Sequence, residues 1–453
     1  MNRSPLRWRA ASVAAATAGL LAVPASTGLA AAAPAPAAVS TAFAPAPAVT
    51  TPPPPPSSSS DAFAELDASV AERLDDAIGD VLRETSVPGV TVGLWAPDKG
   101  SYVRSFGVAE KSPRTPMESD LFMRIGSETK TFTVTALLEL VDRGDVALDD
   151  PIGKYVDGVP GGDTITLRQL AGMRSGLFNY SEDDGFFKAL TTDPTRHFSP
   201  QELLDYAFDH PVLFPPGEKF DYCNTNLILL GLVIEKVGGQ PLNRFIQQNV
   251  LDPAGLNDTL FPVGAEFPSP HAHGYTNQTA TGKVEDATDW NPSWGWAAGA
   301  MISTLDDLRS WARTLATGTL LTPATQAERL DDRSDIAPGL SYGLGIFETH
   351  GWIGHNGSLP GYESVTVYLP EARATMVIVL NTDILHDGTE PSTLFAEAVT
   401  GIVSPDHVYT VPSGTAPSST TSPSTSPSPS TSPSPSASPS DQPSPSSPAT
   451  GTD

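Results

Sequence analysis

The chain has one cysteine, Cys223, among 453 residues, so an intrachain disulfide is excluded and stability has to come from buried apolar surface. It is also short of cations. Twenty-six Lys and Arg stand against 52 Asp and Glu, a formal net charge of −26. That balance argues against nucleic acid or an anionic membrane surface as partner, because both repel an acidic protein. No internal repeat stands out between 61 and 409. Metal-ligand spacing is scarce as well: His271-Ala272-His273 is followed by no carboxylate or cysteine at ligand spacing, and it reads as a loop feature.

Both ends are compositionally biased. Residues 1–33 read as a signal peptide, with Arg3, Arg7 and Arg9, an Ala/Leu/Val stretch broken by Pro24, and small residues around Ala30 to Ala33. The apolar stretch is short for a bilayer, so the expectation is an exported protein with no membrane anchor after cleavage. Its arginines form no twin pair, which favours the general secretory route. Residues 34–60 form an Ala/Pro/Ser-rich linker, and 410–453 a Ser/Pro/Thr-rich tail with repeats such as Ser426-Pro427-Ser428-Pro429. Such segments cannot bury enough apolar surface to order themselves. The tail reads either as a spacer that associates the protein with a cell wall or as a dispensable solubilising extension.

The folding unit is therefore 61–409. Phe63, Leu66, Val70, Leu74, Ile78, Val81 and Leu82 recur at helical spacing, and strands are predicted at 90–95 and 102–108. A mainly helical middle follows, with helices at 127–143, 166–173, 200–208, 224–236, 241–250 and 304–315. Strands return at about 341–348, 351–355, 362–369 and 374–381, before a closing helix near 391–402. Strands at both ends with helices between predict an α/β (α+β) fold: one sheet built from the two ends, flanked by helices, with a helical subdomain inserted.

Ser127 is the only serine with a lysine three residues on, and Ser127-Glu128-Thr129-Lys130 opens a patterned apolar helix. Residues i and i+3 share a helix face, so the Lys130 amine can reach the Ser127 hydroxyl and take its proton. Such a base has to be brought from about 10.4 towards neutrality, about 4 kcal/mol of burial or cationic neighbours. Tyr222-Cys223-Asn224 follows a Pro/Gly turn and precedes a helix. His355-Asn356-Gly357 ends an apolar strand. Ser-x-x-Lys, Tyr-x-Asn and His-x-Gly in this order form a strong set, although each alone would more often be a cap, a turn or a core histidine. A rival is Gly339-Leu340-Ser341-Tyr342-Gly343, the Gly-x-Ser-x-Gly elbow pattern. A turn precedes it and no helix follows, so it reads as coincidence. Cys223 reads as a packing residue.

With these motifs the chain resembles the penicillin-recognising serine hydrolases of the class C β-lactamase type, and within them secreted D-alanyl-D-alanine carboxypeptidases. The likeness extends over Phe122 to Ser127, Ile165 to Leu170, Arg174 to Leu177, Trp296 to Asp307, Tyr342-Gly343-Leu344-Gly345 and Gly354 to Gly361. The resemblance implies a β-lactamase/transpeptidase-like fold with a site between an antiparallel sheet domain and a helical one. It implies Ser127 as nucleophile, Lys130 as base, and Tyr222 as proton carrier with its pKa lowered by Lys130. Asn224, His355, Asn356 and Gly357 would bind substrate, and the backbone N–H groups of Ser127 and Ser358 would form the oxyanion hole. No metal or cofactor is implied. The partners implied are peptidoglycan-type peptides or other acyl donors, and β-lactams as acylating inhibitors. In that subfamily an arginine follows the Tyr-Gly-Leu-Gly strand and a threonine lies inside His-Thr-Gly; Phe347 and Asn356 stand there here. Three functions are open from sequence: a secreted D-alanyl-D-alanine carboxypeptidase, a β-lactamase-like serine esterase, or a non-catalytic cell-wall-binding protein of the same fold.

Overall fold

A computed structural model describes residues 63–412. The expected signal peptide, the linker and nearly all of the tail lie outside them. Nine strands make one antiparallel sheet. In chain order they are β1 (Gly89–Ala96), β2 (Gly100–Glu110), β3 (Thr115–Pro116), β4 (Ser334–Ala337), β5 (Leu340–Tyr342), β6 (Phe347–Thr349), β7 (Trp352–Leu359), β8 (Tyr362–Leu369) and β9 (Ala374–Leu380). The spatial order is β3-β2-β1-β9-β8-β7-β6-β5-β4. The two ends of the domain meet where β1 pairs β9, from Val90 against Leu380 to Trp95 against Thr375. Both strands are buried along their whole length, as their unbroken apolar runs require of a sheet covered on both faces.

One face is covered by α1 (Ala68–Thr85) and α5 (Pro391–Val403), which pack on each other, with α5 also on β8 and β9. Val70, Leu74 and Ile78 give α1 its buried stripe, and Asp67 caps it by accepting from Val70 N at 2.9 Å. Phe63 and Leu66, predicted as part of this helix, precede the cap. The other face carries α4 (Leu305–Thr317) and the start of α2 (Thr129–Asp142). Around α2 and α3 (Asn224–Gly238) lies the helical insertion, including Leu167–Ala171, Pro200–Phe208 and Leu242–Ile246. Helix α2 is buried nearly all round, which explains its apolar and threonine-rich sequence.

Several expectations change. The predicted strand at 341–348 is a hairpin, β5 and β6, because the chain turns at Gly343 to Gly345. Gly345 takes φ +65°, and a Cβ there would meet Val134 at 2.5 Å. Helices at Asp184–Thr192 and Pro323–Asp331, with N-caps Asp183 and Thr322, and edge strand β4 escaped prediction, since the first buries only Phe186 and Leu190, the second buries the polar Thr325, Gln326 and Arg329, and β4 buries no residue fully. The helix predicted at 241–250 breaks after Ile246 into a π turn, Gln247–Leu251. Among the described residues no helix is long and apolar enough to cross a membrane.

Candidate active site

Ser127 lies in a 3₁₀ turn, Gly126–Glu128, that leads into α2. Gly126 takes φ +50°, and a Cβ on it would stand 2.8 Å from Ser358 N. The Ser127 turn is thus held against β7. Gly357 completes this approach: a Cβ there would lie 1.9 Å from the Ile125 carbonyl oxygen, so only glycine fits. Ser364 Oγ, opposite Gly357 on β8, donates to the same carbonyl at 3.2 Å. The backbone N–H of Ser358 is thereby brought beside the Ser127 turn.

Lys130 is fully buried, with Nζ 2.9 Å from Ser127 Oγ and 2.8 Å from the Ala298 carbonyl oxygen. Burial lowers its pKa well below that of a free lysine. A neutral amine has two N–H donors and one lone pair. With one N–H given to Ala298, the lone pair can accept the Ser127 proton, which is the geometry of a general base. The Ala298 carbonyl was not legible as part of the site. It is placed by the short pairing of Met123–Arg124 with Ile302–Ser303 and by bonds from α2: Thr133 Oγ1 donates to Ala297 O at 2.8 Å, and Met301 N donates to Thr129 Oγ1 at 3.0 Å. Trp296, just before it, takes a strained φ of +33°. The small residues of Gly295 to Ala300 were the one available signal.

Tyr222 stands over this pair, its ring centroid 4.8 Å from Lys130 Nζ and its hydroxyl beside Ser127. Burial raises its pKa above the usual tyrosine value, with the Glu390 carboxyl adding to the rise and the Ser127 hydroxyl opposing it. The expected lowering by Lys130 is therefore corrected, because a neutral amine brings no positive charge to stabilise a phenolate. Tyr222 is a protonated phenol, a donor. Asn224 begins α3 beside it and is buried. Its Nδ2 donates to Ser181 Oγ at 3.1 Å, and its backbone N donates to Asn179 Oδ1 at 3.1 Å. Sequence reading missed Asn179 and Ser181, which carry no motif.

Two expected binding residues are repositioned. His355 is 2% exposed; Nδ1 donates to the Asn356 carbonyl at 2.5 Å and Nε2 accepts from Tyr342 Oη at 3.2 Å. Burial lowers its pKa to about 3, so it is neutral with both nitrogens engaged, a wall beside the Tyr222 ring rather than a cation facing substrate. Asn356 has its side chain on the other face of β7 from Gly357, as strand alternation demands. Its Nδ2 donates to Glu390 Oε2 at 3.0 Å. Phe347 is buried against His355, ring centroids 5.3 Å apart.

The rival motif fails on context. Ser341 sits on β5 between Asp335 and Glu348, and a Gly turn follows instead of a helix. Cys223 is buried with its thiol pushed up to about 12 by burial, a packing residue. His271 Nδ1 bonds to Pro268 O and His273 Nδ1 to Asp286 Oδ2, both at 2.8 Å. Among the described residues no group of three His, Cys, Asp or Glu side chains is placed to hold a metal ion.

Buried carboxyls surround this centre. Glu128, next to Ser127, faces the Ser364 and Thr366 hydroxyls and is pushed by burial to about 8; Asp383 is raised by burial to about 6, Glu363 is raised by burial and the nearby Glu390, and Glu390 is raised by burial and the nearby Asp383. A carboxyl with a raised folded pKa stabilises the fold below its unfolded value and loses that contribution as pH rises through the folded one. His355, lowered, opposes this only below about 6.5, and Lys130 contributes one proton of opposite sign. The melting temperature should accordingly peak in mild acid and fall between pH 6 and pH 8.5, as calorimetry can test. A flat or rising curve would show that these carboxyls are ionised in the fold.

The fold and site are of the serine-hydrolase class. The profile of the Beta-lactamase family matches residues 66–399, and the chain belongs to that family. It is 24% identical over 283 residues to the putative penicillin-binding protein PbpX of Bacillus subtilis, covering 61% of this chain and 66% of that protein, just under two thirds of its length. Esterase EstB of Burkholderia gladioli is 30% identical over 284 residues, 55% of this chain and 71% of its own. Among solved structures, the D-amino acid amidase of Ochrobactrum anthropi SV3 with D-phenylalanine superposes with a TM-score of 0.65 at 27% identity, over 73% of this chain and 98% of that one.

Proposed function

We propose that the protein is an exported serine hydrolase that forms an acyl-enzyme at Ser127 and cleaves D-configured amide bonds of the peptidoglycan-peptide kind. The observation that carries the chemistry is the buried Lys130 amine 2.9 Å from Ser127 Oγ, with one N–H tied to Ala298. The Lys130 lone pair takes the Ser127 proton as Oγ attacks the carbonyl carbon. The oxyanion is received by the N–H groups of Ser127 and Ser358. Tyr222 gives its proton to the leaving nitrogen and regains one from Lys130, so the proton ends on the released amine. Water then enters by the reverse path and frees the acid. β-Lactams would acylate the same serine. Export, and the tail as a wall spacer, rest on residues 1–33 and 410–453 alone.

Within this class an uncharged leaving group fits better than the terminal carboxylate that a D-alanyl-D-alanine carboxypeptidase must hold. Phe347 supplies no guanidinium for bidentate binding, and His355 is neutral. The relation to a D-amino acid amidase supports this reading; the relation to EstB supports ester cleavage as a second activity. A panel of D-phenylalanine amide, its L-isomer, a D-alanyl-D-alanine peptide, a p-nitrophenyl ester and nitrocefin tests it. D-amide and ester turnover should exceed D-alanine release by about tenfold or more, the scale of one lost charged contact. Faster D-alanine release would restore the carboxypeptidase, and ester turnover alone would make the protein an esterase.

A further inference from the structure

The middle residue of His355-Asn356-Gly357 plays no part in the chemistry above, and its surroundings are unusual. Asn356 Nδ2 donates to Glu390 Oε2 at 3.0 Å, and Glu390 is the N-cap residue of α5. Glu363, paired across the strands with Ser358, accepts from Ser392 N in the first turn of α5 at 2.8 Å. The turn from β7 to β8 is tied in the same way, Gly361 N donating to Asp383 Oδ1 at 2.8 Å. Three carboxyl groups, Glu363 and Asp383 buried and Glu390 part-buried, therefore hold residues 356–361, the stretch that contains Ser358.

We propose that Asn356 is a positioning residue for the oxyanion strand, tethered through Glu390 and Glu363 to the N-terminus of α5. This rests on the hydrolase reading above only in assigning the Ser358 N–H to the oxyanion. The titratable groups electrostatically close to Glu390 are Glu363 on β8, Asp383 after β9, Tyr409 from the C-terminal segment and Tyr222 from the loop before α3. All are acids or phenols. Each carboxyl has one donor, Asn356 Nδ2 for Glu390 and Ser392 N for Glu363, but two negative charges here repel each other and Asp383. Loss of the last proton from the Glu363 and Glu390 pair pushes the carboxyls apart and loosens the tether, so acylation weakens as pH rises.

The full chain, Asn356→Ala and Glu390→Gln decide this, with p-nitrophenyl acetate hydrolysis followed from pH 5.5 to 9 and hydrogen exchange of the 354–360 segment corrected for intrinsic rate. Asn356→Ala should lower kcat about tenfold with KM nearly unchanged, short of the roughly 10²-fold cost of deleting an oxyanion donor. Glu390→Gln keeps an acceptor for Asn356 and removes the second charge. It should match wild-type kcat at pH 6 and lose the alkaline fall. Exchange in 354–360 should rise between pH 6 and 8.5 in wild type and stay level in Glu390→Gln. Wild-type kcat in Asn356→Ala, or a wild-type alkaline limb with unaltered exchange in Glu390→Gln, overturns the proposal. Absence of Ser127-dependent turnover in wild type would instead sink the hydrolase reading, and the exchange comparison would still decide the tether.

Discussion

A Ser127→Ala variant should fold and melt close to wild type, yet lose about 10⁴-fold or more in kcat on whichever substrate is turned over, the scale seen when a nucleophile working as part of a unit is removed. The size follows from the geometry. Lys130 Nζ and the Tyr222 hydroxyl both converge on Ser127 Oγ, and without that oxygen neither has a reacting atom to serve. Stability changes little because one hydrogen bond, worth about 1 kcal/mol net, is lost from a half-buried side chain. Intact-mass measurement after incubation with a penicillin should show an adduct on wild type and none on the variant. An adduct of equal yield on Ser127→Ala would assign the nucleophile elsewhere.

Lys130→Met should separate catalysis from stability. Methionine fills much of the same buried volume, but it offers no lone pair to the serine, so kcat should fall about 10³-fold, within the range for loss of a general base. The melting temperature at pH 7 should rise rather than fall. In the unfolded chain the lysine is charged; in the fold burial holds it neutral, so folding at neutral pH must strip a proton, and methionine removes that cost. The gain is partly offset by the orphaned Ala298 carbonyl, about 1–3 kcal/mol. Near-normal activity would remove Lys130 from the base role. A clear loss of stability would show that its amine is charged and paired in the native state.

The placement of the site residues was legible in the sequence where the geometry is local. Ser127 and Lys130 are three residues apart on one helix face, and that spacing alone brings amine to hydroxyl. The Gly357 position was legible because a backbone that must pass close to another excludes a side chain, whatever lies opposite. His355 and Asn356 went differently. Motif position names them both as contacts, but alternation along β7 turns them to opposite faces, where Tyr342 engages one and Glu390 the other.

The amino-acid sequence by itself determined the adjacency of Ser127 and Lys130, the order of the motifs, the sheet drawn from both ends of the domain and the absence of any intrachain disulfide. These follow from short-range periodicity, composition and helix geometry. Only the tertiary structure decided the protonation states of the site. The neutral Lys130, the donor tyrosine, the neutral His355 and the carboxyl tether behind Ser358 depend on burial and on partners far away in the chain, as with Ala298, 168 residues from Lys130. Charge state is set by the dielectric and the neighbours of the folded interior, and neither exists until distant segments have packed together.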